Sequence, residues 1–158
     1  MSKNTIKLKK YLDIIEEYTA AGTIKPGMLL EFDSDGKVNA HQVAGGNALP
    51  AFALEDEMQG NGIDDEYSAD DKVQVWVTQR GEQVYAILKD DENVDEGDFL
   101  VSAGNGELQE LTAYEDADSL GAAEGRLSIV AQALEAVDLS DSSGTWPESR
   151  RRIKVRIV

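Results

Sequence analysis

The residues able to do chemistry in this chain are few. His41 is the single histidine among 158 residues, and there is no cysteine. A paired-histidine metal site, a thiolate nucleophile and a disulfide framework are therefore outside its means. No serine sits in a Gly-x-Ser-x-Gly elbow, and no second histidine exists to activate one. Ala44-Gly45-Gly46-Asn47 lacks the lysine and following helix of a phosphate loop. Asp33-Ser34-Asp35-Gly36 begins like a calcium loop, with hard oxygens at alternate positions and a glycine for the bend. It then runs into Lys37-Val38-Asn39-Ala40-His41, without a third ligand or a distal bidentate glutamate. The acidic runs Asp64-Asp65-Glu66, Asp70-Asp71 and Asp90-Asp91-Glu92 read as solvated loop charge. No catalytic residue, metal or cofactor is expected, and His41 is expected at the end of a strand near the surface.

Carboxylates dominate the charge, and they are not spread evenly. Residues 1–10 hold Lys3, Lys7, Lys9 and Lys10 with no acid, and residues 150–158 hold Arg150, Arg151, Arg152, Lys154 and Arg156 with no acid. All 31 acids lie in residues 11–149 against six bases, which leaves that stretch at −25 within a chain of −16. Such a body repels nucleic acid and anionic membrane. Its basic ends suit an acidic partner. No apolar run approaches the ~20 residues of a membrane helix, and the N-terminus lacks a signal-peptide apolar core, so a soluble, unexported chain is expected.

The elements that must carry these residues are strands. One phrase occurs twice: Pro26-Gly27 through Val38 recurs without a gap as Glu96-Gly97 through Leu108. Gly27 aligns with Gly97, Leu30 with Leu100, Gly36 with Gly106 and Val38 with Leu108. Each copy predicts a turn, an apolar strand, a glycine hairpin and a return strand, with Gly27, Gly36, Gly97 and Gly106 as the turn residues. Val73, Val75 and Val77 alternate with Gln74 and Trp76, and Gln79-Arg80-Gly81-Glu82 predicts a second strong hairpin into Gln83–Leu88. Trp76 points away from the valine layer. Alternation predicts one long strand over Leu127–Leu139 and a last strand through Ile153, Val155 and Ile157. Ala113–Gly125 reads as a surface excursion.

Residues 1–20 fit two patterns. Leu8, Tyr11, Leu12, Ile15 and Tyr18 follow helical spacing, whereas Ile6, Leu8, Leu12 and Ile14 fit alternation. A helix would place lysines in its first turn and Glu16 and Glu17 in its last, against the dipole, which favours an extended arm. The expected organisation is an N-terminal arm over 1–20 and a single β-rich domain over 21–158. Its fold class is mainly β: a compact β-barrel or β-tulip of short antiparallel strands with at most short helices.

Several segments together resemble a known family. They are Ile24–Glu31, Asp35–Val38, His41, Ala44–Ala48, Phe52–Asp56, Gly62–Asp65, Val73–Trp76, Gly97–Leu100, Ser102–Gly104, Ala133–Asp138 and Arg152–Val158. In order and extent they are similar to head decoration (capsid cement) proteins of tailed bacteriophages, over roughly residues 18–158. The resemblance implies a small β-rich domain on the exterior of an expanded head, made in the host cytoplasm and placed as homotrimers on the major capsid protein. It brings no catalytic residues. Read from their charge and extended pattern, outside that resemblance, Lys3, Ile6, Lys7, Leu8, Lys9, Lys10 and Tyr11, with Arg150, Arg151 and Arg152, form the expected capsid-binding set, and no nucleic acid or membrane is engaged. Two other readings compete. The −25 body suits an acidic DNA mimic, and the Asp33 loop suits a calcium-dependent glycan-binding or adhesion module.

Overall fold

The computed structural model describes residues 15–112, 128–141 and 146–158. Twelve strands occupy them: β1 Ile15–Thr19, β2 Leu30–Phe32, β3 Val38–Ala40, β4 Ala51–Ala53, β5 Lys72–Val77, β6 Gln83–Ile87, β7 Asn93–Val94, β8 Phe99–Gly104, β9 Glu107–Glu110, β10 Ala131–Ala133, β11 Val137–Asp138 and β12 Arg152–Ile157. Two single turns of 3₁₀-helix, Glu57–Gln59 and Glu148–Arg150, complete the described elements. The chain is mainly β, as its alternation predicts. Lys3 through Tyr11 and the Ala113–Gly125 excursion lie outside the described residues.

The repeated phrase forms two hairpins of identical register. β2 and β3 pair Leu30 with Ala40 and Phe32 with Val38, and β8 and β9 pair Leu100 with Glu110 and Ser102 with Leu108. Each pair of partners recurs seventy positions later. In the first turn the Asp33 carboxylate accepts hydrogen bonds from the Asp35 and Lys37 amides at 2.9 and 2.8 Å, and Gly36 takes φ 76°. The side chain thus supplies the acceptor that the reversing backbone needs. In the second turn Gly104, Asn105 and Gly106 take φ 82°, 51° and 74°. Gly27 and Gly97, which open the two phrases, have φ 90° and 100°.

The duplication extends far beyond the hairpins. One half of the chain orders its strands β1-β5-β4 and joins β4 to the β2-β3 hairpin through a Leu29–Phe52 bridge. The other half orders them β6-β12-β10-β8-β9. Strand for strand these are the same path. The Gly27 amide donates to the Ala53 carbonyl at 2.8 Å, and the Gly97 amide to that of Ala133 at 3.0 Å. The Leu54 amide donates to the Gln74 carbonyl at 2.9 Å, and the Leu134 amide to that of Lys154 at 2.9 Å. Both halves curl until their edges touch at one parallel bridge, Ala20 with Val38 and Leu88 with Leu108. A single bridge is not a ladder, so neither barrel closes. In place of the expected compact barrel there are two half-closed five-stranded units in tandem.

This duplication corrects several expectations. Val73–Val77 and Gln83–Leu88 are not a hairpin. Both edges of β5 are taken, by β1 and β4, so β6 has no free edge there and pairs with β12 instead. Gln79–Glu82 is the link between units. The long strand over Leu127–Leu139 is instead β10 and β11, separated by a bend, with Leu127 outside the described residues. Residues 15–19 pair with β5 along their whole length and Ala20 is fully buried, so the part of the 1–20 arm that is described belongs to the first unit.

Two cores result, and they interlock. Ile24, Leu30, Val38, Tyr67, Val73 and Val75 fill the first unit, joined by Ile87 from the second. Val84, Leu100, Leu108, Ile153, Val155 and Ile157 fill the second, joined by Leu29 and Phe52 from the first, with Trp76 packed against them. Trp76 does point away from its valine layer, and the layer it meets is the other unit's core. Matching strand positions place Phe99, Gln132 and Arg156 in the second unit where the first has Leu29, Phe52 and Trp76. Phe52 is fully buried, whereas Phe99 is 44% exposed and Arg156 faces solvent. The second unit thus presents a more polar face at the positions where the first carries its seam residues.

Candidate docking surface

The basic C-terminal run divides by depth. Arg151 and Arg152 are buried, and Arg150 is exposed. Arg152 donates from Nη1 to the Pro26 carbonyl at 2.7 Å and from Nη2 to the Ile63 carbonyl at 2.7 Å, with Asp64 at 3.5 Å. Its guanidinium also lies 6.0 Å from the Tyr85 ring centre. A Cβ on Gly27 would collide with that guanidinium and stand 2.9 Å from the Tyr85 carbonyl, so glycine there satisfies both conformation and space. Arg151 pairs with Glu107 at 2.7 Å and donates to the Leu88 carbonyl at 3.1 Å. Both guanidiniums, expected to face a partner, are instead spent inside the molecule: Arg152 ties the second unit to the first, and Arg151 braces the second unit from within. Each leaves its Nε without a partner.

Nearby, Lys25 binds Glu148 at 2.9 Å. Burial alone would push the Glu148 carboxyl up, but the Lys25 hydrogen bond and the charges of Lys25 and Arg151 prevail and hold it below the ordinary range. Glu110 behaves oppositely. Burial and repulsion from Asp98, Glu92 and Asp95 push its carboxyl up.

His41 is buried, not at the surface as expected. Nδ1 meets the Ser102 hydroxyl at 2.7 Å and Nε2 meets the Asn47 carbonyl at 3.1 Å. The Leu29 amide donates to the Gly106 carbonyl at 2.8 Å beside it, and the Gly106 amide to the His41 carbonyl at 3.0 Å. The histidine therefore pins one hairpin to the other. Alternation could not reveal this, because its Ser102 partner comes from the distant second copy. Asp33 is occupied as a turn cap, and Lys37 pairs with Asp70 at 2.8 Å. Among the described residues no three carboxylate or imidazole groups converge as metal ligands.

One surface stands out, on the outer face of the β1–β5–β4 sheet. Register puts Ile15, Glu17 and Thr19 beside Trp76, Gln74 and Lys72. The chain leaving β4 folds over this face through the 3₁₀ turn at Glu57–Gln59, which ends at Gly60 with φ 81°. Beneath it, Tyr67 is buried and donates its hydroxyl to the Leu54 carbonyl at 2.7 Å. Burial, with Asp56 and Glu55 close by, pushes that hydroxyl's pKa up. Two adjoining grooves result, floored by Leu54, Gln74 and Ile15 and walled by Glu17, Asp56 and Glu66. Ile15 is 53% and Met58 96% exposed. Exposed apolar groups inside a mostly acidic rim, with Lys72 as its cation, suit a cationic, partly apolar segment.

No family model and no curated protein matches this chain. Among solved structures it is similar to "The crystal structure of head fiber gp8.5 N base in bacteriophage phi29", across 92% of this chain and 93% of that one, with a TM-score of 0.53 and 13% sequence identity. At that identity the likeness is one of fold.

Proposed function

We propose that this chain is a structural protein of a tailed-phage head, bound to the outer surface of the capsid. The observation that carries the reading is the end-to-end likeness to a head fiber base, which spans both units and not one shared hairpin. The segments similar to head decoration proteins support it independently, because the strand path does not depend on them. In its finer form the protein bridges major capsid subunits as a homotrimer and stabilises the expanded head. A ligand that binds the assembled lattice and not its separated subunits favours the lattice by mass action. Several weak contacts per trimer multiply through effective concentration.

The proposed capsid-facing residues are Lys3, Ile6, Lys7, Leu8, Lys9, Lys10 and Tyr11 with the exposed Arg150. Arg151 and Arg152 support that corner from inside. The test is co-sedimentation with purified expanded heads of a phage encoding the chain. Saturable binding, weakened by charge reversal at Lys7, Lys9 and Lys10, is expected. Heads that neither bind the protein nor gain resistance to heat would refute it. Competition with DNA for a nucleic-acid enzyme would instead favour the DNA-mimic reading.

A further inference from the structure

The groove over the first unit lies on a face that the second unit also has, and the matching positions carry different charges. Matching strand positions place Lys154 where the first unit has Gln74, and Glu135 where it has Glu55. In the second unit Lys154 pairs with Glu135 at 3.3 Å, and Glu135 also accepts from the Lys154 amide at 2.9 Å. In the first unit Gln74 carries no charge and reaches Glu17 at 3.3 Å, and the acids Glu17, Asp56, Glu66 and Asp71 share their groove with one cation, Lys72, whose ammonium donates to the Thr19 hydroxyl at 2.9 Å. The same face exposes Ile15 and Met58. The first groove thus combines acid in excess of its one lysine with exposed apolar surface, whereas the matching face of the second unit has Lys154 paired with Glu135.

The geometry points to one occupant: the lysine-rich segment 1–14 of the same chain, docked on the outer face of its own β1–β5–β4 sheet. That segment carries Lys3, Lys7, Lys9 and Lys10 against one acid, Asp13, and alternates them with Ile6, Leu8 and Tyr11. It joins the described structure at Ile15, which lines the groove. Fourteen residues reach up to ~45 Å, several times the ~13 Å that β1 spans from Ile15 to Thr19. Attachment at the groove's edge gives the segment a millimolar-scale effective concentration there, which a free competitor must exceed. The contact is electrostatic at an exposed surface and is screened by salt. A capsid surface that binds the same lysines would have to displace it. This docking does not depend on the head reading and stands or falls separately.

The chain's lack of cysteine permits a clean test. A spin label is attached to Met58→Cys in the full chain, and paramagnetic broadening of the amide resonances of residues 1–14 is measured. Several-fold signal loss is expected at low salt. It should be largely recovered at about 0.5 M salt, where the screening length falls to roughly 4 Å, and equally in the K3Q/K7Q/K9Q/K10Q variant. Unchanged β5 and β12 resonances report that the variants are folded. In a second sample the spin-labelled chain is unlabelled with nitrogen-15 and is mixed with an isotope-labelled chain lacking the spin label. Broadening in the first sample and not in the mixed one supports docking within a chain. Broadening in the mixed sample, which identifies a second copy as the occupant, overturns the proposal, and so does absence of broadening in both.

Discussion

Arg152 shows how one side chain can be read two ways until its depth is known. By composition it is one of five bases in an acid-free tail, and electrostatics sends it to a partner. In place, it satisfies two carbonyls from the first unit, Pro26 and Ile63, at 2.7 Å each. Arg152→Ala strands the buried Pro26 carbonyl and the part-buried Ile63 carbonyl; at ~1–3 kcal/mol each, a loss of about 2–6 kcal/mol is expected in urea unfolding. A change under 0.5 kcal/mol would mean that the guanidinium is only a surface charge. Glu110 gives the opposite sign. Its folded carboxyl titrates above its ordinary value, because burial and then Asp98, Glu92 and Asp95 disfavour the anion. Stability from this group is therefore full at low pH and is lost as pH rises through the folded pKa. Glu110→Gln should raise the melting temperature at pH 7 and leave it unchanged near pH 4, below both pKa values. Glu148 has the reverse linkage: its depressed pKa contributes stability above the ordinary carboxyl range, lost as pH falls through the folded value.

At the scale of elements, the two hairpins were written in the sequence and their relation was not. Gly36 and Gly106 align in the repeated phrase and adopt φ 76° and 74°. Local sequence therefore marks them as equivalent. A Cβ at Gly36 meets nothing within 4 Å, whereas one at Gly106 would stand 2.8 Å from the Met28 Cβ and 3.2 Å from that of Ala40. Gly36→Ala should cost only the left-handed strain of roughly 1–2 kcal/mol, and Gly106→Ala appreciably more, because it also pries the hairpins apart. Equal costs in thermal unfolding would contradict the seam. The same contrast explains what could be read in advance. Alternation within β5 and β12 and the glycine turns are local signals, and both elements form as the pattern predicts. Pairing partners are non-local. The valine run of β5 and the Gln83 strand looked like a hairpin because a glycine turn joins them, yet β5 had already lost both edges. The second half of the duplication was masked by drift. Ala51-Phe52-Ala53-Leu54-Glu55 and Ala131-Gln132-Ala133-Leu134-Glu135 share four of five residues, but they lie eighty positions apart, not seventy. The groove beside β1 was illegible for a related reason: Ile15, part of its apolar floor, reads locally as the end of an arm, and Leu54 and Gln74 reach it from distant strands.

For the molecule as a whole, the question is whether two similar units make one cooperative body. Each unit lends residues to the other's core, Leu29 and Phe52 in one direction and Ile87 in the other. Neither core is complete alone, so a single unfolding transition is expected, coincident by tryptophan fluorescence and far-ultraviolet circular dichroism. Phe52 and its counterpart Gln132 supply the decisive pair of substitutions. Phe52→Gln removes a fully buried ring from the seam and leaves an amide there, a change that should cost about 3–5 kcal/mol. It should also split the transition, because Trp76 would report the seam before the sheets melt. Gln132→Phe places the same ring on the corresponding face of the second unit, beside the half-exposed Phe99. Its effect on stability should stay within about 0.5 kcal/mol, while sedimentation should reveal self-association through the enlarged apolar patch. If Phe52→Gln leaves one sharp transition at the wild-type midpoint, the units are merely neighbours on a string.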